Sequence, residues 1–203
     1  MHLFDEDQKF KGENRDNALR ENTLMNNSDS LVTRLKAGDQ KAANEVVDAY
    51  YQQIYLFMRR LGHNRQASED LTQESFFLAW RHIGQLKKEI TLSAWLYRIA
   101  ANASRMYWRK NKKVAVQIEL LNISDKQDFA GFEAEDIEQI RSLKEAVEDL
   151  PIQLRQAVVL HYMQYLTIAE AADALGLRCG TFKSRLNKAL NILRKRLSPD
   201  GEL

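Results

Sequence analysis

A chain of 203 residues with 44% hydrophobic content exceeds one average domain and can bury a real core, so one large or two small domains are expected. Its 2 Pro and 8 Gly argue against a turn-rich β architecture, and its 1 Cys excludes an intrachain disulfide and fits a reducing compartment. The net charge of +2 conceals acidic and basic residues sorted into different segments, and neither a signal-peptide core nor a run of about 18 apolar residues exists, so a cytoplasmic chain without membrane insertion is expected.

Residues 1–28 are polar, mixed in charge and without apolar periodicity, and read as a mobile tail. The first strongly periodic segment is AANEVVDAYYQQIYLFMRRLG. There Val47, Tyr50, Ile54, Phe57 or Met58, and Leu61 recur at three- and four-residue steps and predict one buried helical stripe ending at Gly62. ASEDLTQESFFLAWRHIG predicts a second helix with Leu71, Phe76, Phe77, Trp80 and Ile83 as its apolar side. Glu69, Asp70, Gln73 and Glu74 lie on its polar side. After a loop, SAWLYRIAANASRMYWRKNKK predicts a third helix with a basic end, its buried face formed by Leu96, Ile99, Ala103 and Met106. Residues 29–113 thus form one helical domain.

From Val114 onward the composition turns acidic (Glu119, Asp125, Asp128, Glu133, Glu135, Asp136, with Lys126 as the one base), and residues 114–137 read as a linker. A second helical domain covers 138–197. Pro151 opens PIQLRQAVVLHYMQYL at a position where a missing N–H does no harm. Residues 198–203 are a short tail. The fold class is therefore all-α, with two helical domains joined by an acidic linker.

The last forty residues hold the clearest constellation. Thr167 and Glu170 fit a capping box, Ala171, Ala172 and Leu175 give a small apolar face, Gly176 breaks the chain, and Leu177 packs back. The next helix buries Phe182, Leu186, Ala189 or Leu190, Leu193 and Leu197. Lys183, Ser184, Asn187 and Lys188 lie on the opposite side. This is a helix-turn-helix layout, whose second helix enters a major groove while Lys and Arg neutralise phosphates. A plain amphipathic hairpin with a solvated basic face has the same pattern.

On the third helix Arg98, Asn102, Arg105 and Arg109 share one face, with Trp95 before the strip and Tyr107 and Trp108 at its end. Basic side chains that track phosphates beside aromatics that stack bases suit single-stranded DNA. A solvated face with core tryptophans fits the same residues, and Asp70, Gln73 and Glu74 taken alone fit a solvated helix face. The four His residues are dispersed, and no phosphate loop, nucleophile elbow or zinc signature occurs, so no metal, cofactor or enzymatic activity is expected. Cys179 reads as a small structural residue.

Two blocks occur together: EDLTQESFFLAWRHI followed by AWLYRIAANASRMYWRKNKK, and LPIQLRQAVVLHYMQYLTIAEAADALGL followed by GTFKSRLNKAL. Over about residues 29–197 the chain resembles the extracytoplasmic-function (ECF) group of bacterial RNA polymerase sigma factors. The resemblance implies a sigma region 2 domain at 29–113 and a sigma region 4 domain at 138–197. It implies that Asp70, Gln73 and Glu74 contact the β′ clamp helices of core polymerase and that the C-terminal domain meets the β flap. The helix with WLYRIAAN would capture the non-template strand of the minus-ten element through Trp95, Arg98, Asn102, Arg105 and Arg109. Arg178, Thr181, Lys183, Ser184, Asn187 and Lys188 would read the minus-thirty-five duplex. An anti-sigma partner, often membrane-anchored in this family, is also implied. Arg178 and Cys179 depart from the Ser and Val frequent there, and Arg is the poorer helix N-cap by about 1 kcal/mol. The loop KKEITLS lacks the aromatic that often precedes the Trp95 position. Without the resemblance, a dimeric operator-binding regulator and a helical interaction module without DNA binding remain as rivals.

Overall fold

The computed structural model describes residues 28–86, 91–111 and 134–197, and every regular element among them is helical. The N-terminal tail up to residue 27, residues 87–90 of the KKEITLS loop, most of the acidic linker and the tail from 198 lie outside the described residues. The chain divides into two units, Met1–Val46 and Val47–Leu203.

In the first unit, α1 (Ser28–Lys36) was not expected from the sequence. It is nine residues long and only Leu31 and Leu35, one helical turn apart, mark its buried side. Gly38 (φ 82) turns the chain, and the Asp39 carboxylate starts α2 (Gln40–Arg60) by accepting Lys41 N–H at 2.8 Å and Ala42 N–H at 3.4 Å. Arg34 donates to Asp39 at 2.8 Å and to Glu45 at 2.9 Å, and its guanidinium holds the Asp39 carboxyl below the usual carboxylate range.

In the second unit the stripe on α2 is buried at Tyr50, Ile54, Phe57, Met58 and Leu61. Val47, expected in that stripe, is exposed, whereas Val46, the last residue of the first unit, is buried. Gly62 ends the helix with φ 85. Asn64 caps α3 (Arg65–His82) by accepting the Ala67 N–H at 2.8 Å.

The face α3 buries differs from the expected one. Ala67, Ser68, Leu71, Thr72, Ser75 and Ala79 face inward, while Phe77 and Trp80 are 64% and 42% exposed. Small polar residues can take the core side because their hydroxyls bond back into the helix: Thr72 Oγ1 to Ser68 O at 2.7 Å, Ser75 Oγ to Leu71 O at 2.6 Å. This face lies against α4 (Leu92–Asn111).

Helix α4 buries Leu92, Ala94, Trp95, Leu96, Tyr97, Ala100, Ala101, Ala103 and Ser104, more than one stripe. It is covered on two sides, by α3 and by α7 (Ile168–Leu175) of the C-terminal segment. Ile99 is accordingly half-buried, and Met106, expected inside, is exposed.

The next helix, α5 (Ala134–Glu148), begins inside the segment expected to be linker. Pro151 stands just before α6 (Ile152–Val158), its carbonyl accepting from Leu154 N and Arg155 N. The expected single helix to Leu166 instead widens into a π turn over Val159–Met163, after which Tyr165 adopts a left-handed φ of 57. Leu166 N donates to Leu160 O and the His161 ring bonds Leu166 O at 2.8 Å. This closure lets both Leu160 and Leu166 reach the core.

The capping box at Thr167 and Glu170 forms on α7, and Gly176 ends it with φ 65. The final helix, α8 (Cys179–Leu197), buries Phe182, Leu186, Ala189 and Leu193 against α6 and α7. Leu197, expected inside, is exposed.

Candidate nucleic-acid interface

Three faces carry the residues singled out from the sequence. On α3, Asp70, Gln73 and Glu74 are exposed, and the same side continues one turn on into Phe77 and Trp80. Steps of three and four make one stripe, acidic toward the N-terminal half and aromatic toward the C-terminal half. Hydropathy alone assigned the aromatics inward. The usable signal was the Ser/Thr run at the alternative core positions. A stripe that pairs acids with exposed aromatics suits a partner helix that is basic and partly apolar.

On α4 the strip is uneven. Asn102 and Arg109 are exposed, and Arg98 and Arg105 are half-buried. Trp95 is only 7% exposed, so in this conformation its ring packs in the core and offers no stacking surface. Arg98 donates through Nε to the Asp173 carbonyl at 2.9 Å, with a second bond from Nη2 to the same oxygen. Arg105 bonds the Asn102 side chain. Burial, and after it the Arg185 charge on α8, lowers the pKa of the Arg105 guanidinium.

On α8 the separation of faces is complete. Thr181, Lys183, Ser184, Asn187 and Lys188 are exposed opposite the buried Phe182, Leu186 and Ala189, with Arg178 exposed just before the helix. Ser184 Oγ donates to Gly180 O at 3.0 Å. Arg178 O accepts the Phe182 N–H at 3.0 Å, so the helix starts regularly despite the poor capping side chain. Cys179 is a free, exposed thiol.

A fourth cluster was not foreseen. The His63 ring stacks on Trp108 at 5.1 Å, meets Tyr107 edge-on at 4.9 Å, and shares a 2.7 Å hydrogen bond through Nε2 with Ser104 Oγ. Arg155 of α6 sits 5.6 Å from the centre of the Trp108 ring. It donates to Leu61 O at 2.6 Å, Leu150 O at 3.1 Å and Glu148 O, so one guanidinium caps the chain ends that follow α2 and α5. Its residues are far apart in sequence, and the sequence singles out only Tyr107 and Trp108 among them, as the aromatic end of the basic strip.

Burial, then the Arg155 charge, pushes the His63 pKa down to about 3. Above pH 6.5 neither folded nor unfolded chain protonates this ring, and its packing contributes in full. As pH falls through 6.5 the unfolded chain takes up a proton that the folded chain refuses. Stability then declines by up to about 1.4 kcal/mol per pH unit until the folded-state value is reached. We expect His63→Gln to flatten unfolding free energy against pH between about 6.5 and 5, above the range where most carboxylates titrate. Equal slopes for variant and parent in urea titrations would remove this role.

Among the described residues no cluster of His, Cys, Asp and Glu could hold a metal ion, and no helix is long and apolar enough to cross a membrane.

Comparison with known proteins bears on the same segments. Residues 46–114 match the family model for sigma-70 region 2, and residues 140–193 that for sigma-70 region 4. The ECF RNA polymerase sigma factor SigW of Bacillus subtilis is 30% identical over 82% of this chain and 94% of its own length. Among solved structures, the sigma factor RpoE of Bartonella quintana, crystallised with the anti-sigma factor NepR, superimposes with TM-score 0.59 at 25% identity. That match covers 77% of this chain and 97% of RpoE. CnrH, solved with the cytosolic domain of CnrY, gives TM-score 0.62 over 84% of this chain and 97% of CnrH. At 22% identity it speaks for the fold alone.

Proposed function

Because this chain belongs to the ECF group of RNA polymerase sigma factors, we propose that its three exposed faces divide the work of promoter recognition among named residues. The factor binds core RNA polymerase and directs promoter recognition, DNA melting and initiation. On α3, Asp70, Gln73 and Glu74 steer the chain onto the β′ clamp helices, and Phe77 and Trp80 supply apolar area beside them. Charge at such a contact governs approach and register, while buried aromatics carry most of the affinity.

On α4, Arg98, Arg105 and Arg109 track the backbone of the non-template strand and Asn102 faces an extruded base. Taking a base out of the stack costs a few kcal/mol, which pocket contacts and the backbone charges offset. On α8, Lys183, Ser184, Asn187 and Lys188 enter the major groove of the minus-thirty-five duplex, with Arg178 and Thr181 at the groove edge. The observation that carries this reading is α8 itself: six exposed positions on or beside one face, opposite a continuous apolar seam.

The domains divide as residues 29–113 for the core-binding and melting half and 138–197 for the duplex-reading half, which also meets the β flap. An anti-sigma protein is the expected regulator, and the solved RpoE–NepR complex supports that expectation. Reconstituted run-off transcription tests the whole reading. Transcripts with defined 5′ ends should appear only when the chain is added to core polymerase. Tight duplex binding without polymerase, and no promoter-dependent transcript with it, would refute the proposal.

A further inference from the structure

Among the described residues, Tyr165 is the one non-glycine residue with a positive φ, and its side chain is 62% exposed. The left-handed region is unfavourable for any residue with a Cβ, and glycine holds it without that penalty. Nothing inside the fold offsets the strain of a tyrosine there. Its hydroxyl has no hydrogen-bond partner among the described residues. The closure around it runs from Leu166 N to Leu160 O at 3.0 Å and from the His161 ring to Leu166 O at 2.8 Å. Neither bond uses the Tyr165 side chain. Tyr162 is exposed as well, but its ring meets the His161 ring at 4.9 Å.

Tyr165 stands two residues before Thr167, the cap of α7 and so of the first helix in the helix-turn-helix. In such motifs the second helix enters the major groove while the first crosses the sugar-phosphate backbone. Helix α7 brings no cation to that crossing. Ile168–Leu175 contains Glu170 and Asp173 but neither Lys nor Arg. Glu170 is turned back on the cap, its Oε2 accepting the Thr167 N–H at 2.8 Å and the Thr167 hydroxyl at 2.7 Å. The counter-charge that Arg178, Lys183 and Lys188 give to α8 is thus missing from α7. A phenol suits this place. It donates to a phosphate oxygen and, being neutral, is not drawn back onto the neighbouring carboxylates as a lysine would be.

We infer that the Tyr165 hydroxyl donates a hydrogen bond to a backbone phosphate of the minus-thirty-five duplex, a contact that seats α7 across the strand and fixes how α8 enters the groove. This rests on the assignment of α8 as the duplex-reading helix. A tyrosine at a position where the fold favours glycine is then explained by a bond made outside the chain. The contact sets register rather than sequence, because a phosphate carries no base identity. It also adds affinity without adding salt dependence, since a neutral phenol releases no counterion whereas Lys183 and Lys188 do.

The test uses holoenzyme assembled from the full chain and core polymerase, on a promoter duplex from which it makes run-off transcripts. Tyr165→Phe, which removes only the hydroxyl, should weaken promoter binding about fivefold. The slope of log affinity against log salt should not change, and neither should affinity for core polymerase. Lys183→Ala should instead lower that slope by about 1. Tyr165→Gly should raise the Tm of the free chain by about 2 °C while weakening promoter binding as much as Tyr165→Phe, opposite signs that a merely structural tyrosine does not produce. Scanning single methylphosphonates through the minus-thirty-five element should find one position that costs the wild type several-fold more than Tyr165→Phe. Promoter affinity of Tyr165→Phe within a factor of 1.5 of wild type, on the order of assay error for a bond of this size, overturns the inference. Loss of core affinity in place of promoter affinity also overturns it and gives the ring to polymerase. A lower Tm for Tyr165→Gly overturns it by showing that the fold itself needs the side chain. When Lys183→Ala behaves as expected and Tyr165→Phe does not, the Tyr165 contact alone falls. When Lys183→Ala changes neither affinity nor slope, the α8 assignment falls and the Tyr165 contact with it.

Discussion

Asp70→Arg combined with Glu74→Arg should weaken binding to core RNA polymerase by about 100-fold while leaving the helical fold intact. Both carboxylates are exposed on α3, so their reversal removes no core contact. Two arginines four residues apart repel by only a few tenths of a kcal/mol within the helix. At the interface each reversal replaces an attraction with a like-charge clash, and together they cost about 3 kcal/mol, or roughly two orders of magnitude in affinity. The loss should shrink as salt rises, because exposed charges are screened over about 10 Å at 0.1 M. Phe77→Ser on the same stripe should weaken binding with little salt dependence, since it removes apolar area. Fluorescence titration of core polymerase at two ionic strengths separates the two behaviours. If the double reversal leaves affinity within a factor of three, the α3 stripe is not the docking face.

The contrast between Phe77 and Asp70 also shows where sequence reasoning reached its limit. The helices from Gln40 onward, the capping box at Thr167, the break at Gly176 and the two faces of α8 depend on residues a few positions apart, so local spacing is enough to find them. Along α3 the same logic assigned Phe77 and Trp80 to the core, because hydropathy does not register that Thr72 and Ser75 satisfy their own hydroxyls within the helix. On α4 it proposed one buried stripe where the chain buries two sides, and the second is covered by α7, more than sixty residues later. Trp95 illustrates the cost for the candidate site. Its position beside the basic strip is legible in the sequence, but its burial, with 7% of its surface exposed, is not. The π turn at Val159–Met163 escaped for a related reason. It is set by the closure of Leu166 onto Leu160 rather than by any breaker residue.

The same dependence on distant neighbours makes Gly62 the position where one methyl group should do most damage. Its φ of 85 lies in the left-handed region, where a side chain costs about 1 kcal/mol. A Cβ there would also stand 2.8 Å from Nη1 of Arg155, the atom that donates to Leu61 O at 2.6 Å. The end of an arginine can swing aside on an open surface. Here it is held by the carbonyls of Leu61, Glu148 and Leu150 and lies over Trp108, so moving it breaks several contacts at once. Gly62→Ala should therefore destabilise the fold by about 3 kcal/mol, most of it through Arg155. Arg155→Ala alone should cost a similar amount, because buried carbonyls lose a charged donor. In the Arg155→Ala background, however, Gly62→Ala should cost only the backbone strain of about 1 kcal/mol. Urea unfolding of the four proteins, compared at constant m value, gives the coupling directly. Additivity within about 0.5 kcal/mol would show that the glycine is required by the turn alone, and that Arg155 does not fix the path of the chain between α2 and α3.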